Sequence, residues 1–150
     1  MDKLLFKKTT SKTDPDQVGE EHEYILAETI INDRPFLAYL EGEYEYNYNL
    51  AVCLYNQLIG KPETDEPDGW PGKNNASLLT CGVCFHQRCN PFTFSFEETD
   101  TEVIWSGYYN YHTRKYYNDI PVFRFEKEQY KTALAQLKEI ADEGPRVIRN

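Results

Sequence analysis

The sequence predicts a single α+β domain: a mainly antiparallel β-sheet packed by a C-terminal helix and one earlier helix. Three observations carry that expectation. Residues 126–145, EKEQYKTALAQLKEIADEGP, repeat apolar side chains at helical spacing and end on Gly144-Pro145. Residues 92–97, FTFSFE, alternate phenylalanine with polar residues, the period of a half-buried strand. The length of 150 residues suits one core, and neither a repeat nor a second apolar cluster divides it.

The elements follow in order. Residues 1–20 read as an extended or mobile lead-in, because TTSKTDPDQVGE at 9–20 is built of turn-formers and charges. EYILAETIINDRPFLAYLE (23–41) reads as two strands around a turn at Asn32-Asp33, with Pro35 tolerated where the second strand begins. Tyr24, Ala27, Glu28 and Ile31 also fall at helical spacing, so a helix over 17–31 remains open. EYNYNLAVCLYNQLIGKP (45–62) predicts a helix. Its stripe is Leu50, Cys53, Leu54 and Leu58, with Asn47 or Asn49 as cap and Gly60 with Pro62 as stop.

Residues 61–76 form a long proline- and glycine-rich loop, a length that is usually functional or disordered. Strands then follow at SLLTCGVCFH (77–86), FTFSFEE (92–98), EVIWSGYYNY (102–111) and KYYNDIPVFRF (115–125). In the final helix Tyr130, Ala133, Leu134, Leu137, Ile140 and Ala141 share one face, and Lys127, Lys131 and Lys138 lie opposite.

Charge restricts the partners. The net charge is −9, and the lysines of residues 1–12 together with Arg146 and Arg149 leave the body at −14. Residues 14–60 hold ten acids and one base, Arg34. Such a field repels nucleic acid and anionic lipid and attracts basic proteins. No apolar stretch has the length of a membrane span, and MDKLLFKKTTSKTD lacks the core of a secretory leader, which points to a cytoplasmic chain with reduced thiols.

CGVCFHQRC (81–89) gathers Cys81, Cys84, His86 and Cys89. Cys-x2-Cys is half of a zinc site, but strand alternation sends Cys84 and His86 to one face and Cys81 and Cys89 to the other. The expectation is therefore buried strand cysteine, with no metal and no cofactor. A thioredoxin-like reading of Cys81 and Cys84 fails because no helix pattern follows. WSGYYNYHTRKYYND (105–119) sets Tyr109, Tyr111, His112, Arg114 and Lys115 close together. Those side chains can stack bases, reach phosphates or move protons, so a nucleic-acid surface or a small phosphodiester enzyme is the second reading. The alternative is a plain hairpin with paired aromatics.

The most distinctive acidic stretch is EGEYEYNYN (41–49), where Glu41, Glu43 and Glu45 interleave with Tyr44, Tyr46 and Tyr48. In extended form the acids share one face and the tyrosines the other. Read as a surface, it offers rigid contact area and carboxylates that steer a basic protein. Read plainly, it is a negatively charged helix entry. Asp65, Glu66 and Asp68 make a second acidic set.

In size, in this acid–tyrosine stretch and in the late sheet plus terminal helix VFRFEKEQYKTALAQLKEI, the chain resembles the immunity proteins that bacteria make against polymorphic or contact-dependent toxins. The resemblance implies a non-catalytic inhibitor in a one-to-one complex with a cognate toxin domain, often a basic nuclease. It places the contact on Glu41, Glu43, Tyr44, Glu45, Tyr46 and Tyr48, then on Asp65, Glu66 and Asp68. A third reading is an acidic decoy that imitates DNA.

Overall fold

A computed structural model of the chain describes residues 1–12, 21–40, 46–59, 75–81, 92–110, 113–143 and 146–148. The α+β class is what the structure shows. β1 (Leu4–Lys12) and β2 (Glu21–Ile31) form an antiparallel hairpin from Leu4↔Ile31 to Lys12↔Glu23. The lead-in is thus a strand as far as Lys12, and the open choice at 17–31 resolves to strand from Glu21 onward. Leu4 and Phe6 on β1 face Ile31 and Thr29 on β2, all buried.

Asn32 and Asp33 turn the chain with φ of 54° and 64°, the left-handed pair of a tight hairpin. The second strand of that hairpin is shorter than its apolar run suggests. β3 (Arg34–Pro35) pairs with Ile30 and Ile31, and Phe36–Tyr39 then coil into a 3-10 turn. Pro35 cannot donate to a longer ladder. The turn swings Phe36 into the core, 5.9 Å from Phe92 and 5.6 Å from Tyr108.

β4 (Tyr46–Tyr48) precedes α1 (Ala51–Leu58), so the expected helix begins later than its asparagines. Neither of them caps it: Leu50 holds the N-cap position without a side-chain bond, and the Asn49 amide donates to the Ser77 carbonyl at 2.6 Å. β5 (Asn75–Cys81), β6 (Phe92–Glu98), β7 (Glu102–Asn110), β8 (Lys115–Tyr116) and β9 (Phe123–Glu126) complete a second sheet, ordered β4-β5-β6-β7-β8 with β9 also on β7. α2 (Lys127–Ala141) follows directly, and β10 (Arg146–Ile148) pairs with β2.

Two single bridges, Asp2↔Phe125 and Leu26↔Leu50, join the sheets at both ends. The core fills the space between them. Trp105 is fully buried and donates its indole N–H to the Tyr130 hydroxyl of α2 at 3.2 Å. On α2 the buried side chains are Tyr130, Ala133, Leu137 and Ile140, with Leu134 and Ala141 partly covered.

α2 also covers the free edge of β1. Where β9 ends, the Gln129 side-chain carbonyl accepts from the Leu4 N–H at 3.0 Å and its amide donates to the Leu4 carbonyl. Gln136, two helical turns on, accepts from the Phe6 N–H at 3.0 Å, and Glu143 pairs with Lys8 at 3.0 Å. Residues spaced by seven along α2 and just past its end thus meet residues spaced by two on the strand. Main-chain donors that would otherwise recruit another strand are satisfied.

Two bulges set which side chains reach the core. In β5 the register slips between Ser77 and Leu79, and residues 76–80 are all buried. The Ser77 N–H, displaced from regular pairing, donates to the Gln57 side chain of α1 at 2.5 Å. In β7 the slip opposite Phe94 falls at Gly107-Tyr108, where Gly107 has φ of 66°, the geometry of a glycine bulge. Burial therefore passes from Val103 and Trp105 to Tyr108 and Asn110.

Candidate functional site

The structure brings β3, the 3-10 turn and the chain after β8 together around an open cleft of about 460 Å³. Arg34 and Tyr39 line it from one segment, and Lys115, Tyr116, Tyr117, Asn118 and Asp119 line it from the other. Leu40 and Ile120, both buried, close it with apolar surface.

Each segment has a local cause. The Asn32-Asp33 turn returns Arg34 beside the 3-10 turn, where its guanidinium donates to the Ala38 carbonyl at 2.8 Å. The same group lies 4.1 Å from the Tyr39 ring centroid, a cation–π pair. On the other segment, Arg114 takes a left-handed φ of 58°, and the Asn110 side chain accepts from the Thr113 N–H at 3.1 Å. The chain then re-enters beside β7, with the Tyr117 N–H on the Tyr108 carbonyl at 2.9 Å. Lys115 stands 4.9 Å from the Tyr117 ring, which packs on Phe92 at 5.0 Å. Tyr116 rests on Tyr109 at 4.6 Å yet keeps 63% of its surface exposed.

In the core the tyrosines are structural. Burial raises the Tyr108 phenol far above its ordinary pKa, reinforced by the neighbouring Tyr39 and Asp2. Its hydroxyl has no hydrogen-bond partner among the described residues. Burial also raises Tyr130, against the lowering effect of the Trp105 bond. Tyr48 is pushed up to about 12, chiefly by burial and opposed by the Leu37 N–H that donates to its oxygen.

The sequence-predicted residues divide accordingly. Tyr46 and Tyr48 are corrected from contact surface to core: they retain 7% and 6% exposure, and Tyr46 packs on Phe92 at 5.4 Å while bonding the Asn110 amide. The physical reason is strand phase, since residues two apart on β4 face the same way and that way is inward. Glu41, Glu43, Tyr44, Glu45, Asp65, Glu66 and Asp68 lie outside the described residues, as do Tyr111 and His112. So do Cys84, His86 and Cys89, while Cys81 ends β5.

Of the second set, Tyr109, Arg114 and Lys115 are described, and Lys115 alone lines the cleft. Arg34, Tyr39, Tyr116, Asn118 and Asp119 were not singled out from the sequence. The turn at Asn32-Asp33 was legible, but the pairing of Tyr109 with Tyr116 that sets the opposite segment was not. Comparison with protein-family models, with curated proteins and with solved structures finds no match.

Proposed function

We propose that the chain is a binding protein that neutralises a basic protein partner in a one-to-one complex, in the manner of bacterial immunity proteins and their toxins. The observation that carries this reading is the charge distribution: ten acids against one base over residues 14–60, in a chain of net charge −9. A field of that sign speeds encounter with a basic partner and disfavours acidic ones. The fold supports it by pinning the ends of the acidic segments. Leu40 and Tyr46, on either side of 41–45, are buried, as are Leu58 and Ala76 on either side of 61–74. Carboxylates tethered to a packed frame lose less entropy on binding than those on a loose chain.

Affinity purification from the native host, followed by mass spectrometry, tests the reading. One basic protein should co-elute at equal stoichiometry. Its association should slow with added salt and slow further when Glu41, Glu43 and Glu45 are changed to lysine. A partner whose association ignores both salt and the triple reversal removes the acidic segment from the interface. Elution of the chain alone ends the proposal.

A further inference from the structure

We propose that the outward face of α1 is the apolar centre of the partner interface, an inference that rests on the inhibitor reading above and deepens it. Ala51, Cys53, Leu54, Gln57 and Leu58 turn towards the protein and are buried. At helical spacing the remaining positions make a stripe of their own: Val52, Tyr55, Asn56 and, at the C-cap, Ile59. Val52 and Ile59, two turns apart, keep 43% and 38% of their surface exposed. Tyr55 and Asn56 between them are half-buried.

The stripe differs from an ordinary helix surface in carrying no charge. A helix at a protein surface turns charged residues outwards. α2 does so, with Glu128, Lys131, Lys138 and Glu139 all exposed. α1 does not, because the sequence from Tyr46 to Gly60 holds neither an acid nor a base. A lone exposed apolar side chain carries no meaning by itself. Here two of them are joined along one helix face by an aromatic ring and an amide.

Charge complementarity identifies the occupant. Glu41, Glu43 and Glu45 precede Tyr46 in the chain, and Glu63, Asp65, Glu66 and Asp68 follow Ile59, with Lys61 the one base among them. An uncharged helix face is thus bracketed in sequence by carboxylates on both sides. Protein interfaces share that order: charge is depleted at the centre, and polar groups at the rim keep water out. The partner that fits is a basic protein presenting an apolar patch edged by lysine or arginine. A second copy of this chain would set acid against acid, and nucleic acid or anionic lipid would meet the same repulsion.

Surface plasmon resonance of the immobilised full chain with the basic protein that co-elutes with it tests the face. Val52→Gln with Ile59→Gln removes apolar surface at two exposed positions without changing charge, so the urea midpoint should match the parent's. Dissociation of the complex should quicken about tenfold while association stays within about twofold, because apolar centres set lifetime and charges set encounter. Val52→Ala, a milder truncation that favours the helix, should quicken dissociation about threefold. Val122→Gln, at an exposed apolar residue before β9, should change neither rate. If both α1 variants dissociate like the parent while Glu41→Lys, Glu43→Lys and Glu45→Lys together still slow association, the inference is overturned and the inhibitor reading survives it. Absence of any co-eluting basic protein ends both. Sedimentation of the chain alone should show a monomer; a dimer that separates on Val52→Gln with Ile59→Gln would assign the face to a second copy and overturn the proposal.

Discussion

β4 and β8 are the two ends of one sheet path, and each carries tyrosines, yet the two edges have opposite characters. Tyr46 and Tyr48 on β4 are buried, whereas Tyr116 on β8 is 63% exposed and Tyr117 half-buried. At the β4 edge, the Leu26↔Leu50 bridge and the bond from the Ala27 N–H to the Asn49 carbonyl bring β2 alongside. β8 is two residues long, and the chain leaves it through a loop that lines the cleft. An edge closed by the other sheet turns aromatic residues into core, and an edge with no further strand among the described residues leaves Tyr116 exposed. Spacing matters too: tyrosines two apart share a face, while adjacent ones are divided between core and surface.

The largest expected effect tests that contrast directly. Tyr48→Ala removes a buried ring and should cost about 3–5 kcal/mol in urea denaturation. Tyr116→Ala should stay within about 0.5 kcal/mol. Similar losses at the two sites would mean that the edges do not differ in the way their exposure indicates.

A second substitution probes the packing behind the closed edge. Gln57→Leu leaves the Ser77 N–H of β5 buried without its acceptor, a loss of about 1–3 kcal/mol. The urea midpoint should fall with an unchanged slope. A neutral result would show that the bulge repairs itself by shifting register.

The third concerns the bulge that sorts the tyrosines near the open edge. Gly107→Ala meets no steric barrier, since the added carbon would lie 3.5 Å from the Ser95 hydroxyl oxygen. Its left-handed φ alone should cost about 1–2 kcal/mol, read as a lower melting temperature. Without that cost, the glycine would not be what holds the bulge.

Much of the fold was legible because local rules and burial agreed. The α2 stripe, the Phe92 and Phe94 face and the Asn32-Asp33 turn all follow from period or turn chemistry. What failed to show was set by partners distant in sequence. Simple alternation from Val103 and Trp105 would carry Tyr109 inward; the bulge at Gly107 reverses the phase, so Tyr108 and Asn110 are buried instead. The inward face of Tyr46 and Tyr48 depends on pairing with β5, where Tyr46 meets Cys81, 35 residues on, and Tyr48 meets Leu79, 31 residues on. The cleft was hidden for the same reason, since its two lining segments lie some eighty residues apart and meet only through packing.

The closed edge has one further signature that is silent at neutral pH. Below pH 10 the native and unfolded chains both keep the Tyr48 phenol protonated, so its burial contributes no pH dependence. Between 10, the ordinary value, and about 12, its value when folded, the unfolded chain releases a proton that the native chain retains. The unfolded state then binds fewer protons, and stability falls as pH rises through that window. Tyr108 and Tyr130 are raised in the same direction and add to the same slope. Tyr48→Phe keeps the ring and removes the proton, so urea denaturation of that variant across the alkaline range should show a shallower decline than the parent chain. Its deficit at neutral pH should be no more than about 1 kcal/mol, the worth of the one bond from the Leu37 N–H. An unchanged alkaline slope would mean that the Tyr48 hydroxyl already reaches water, and that the β4 edge is less closed than its packing implies.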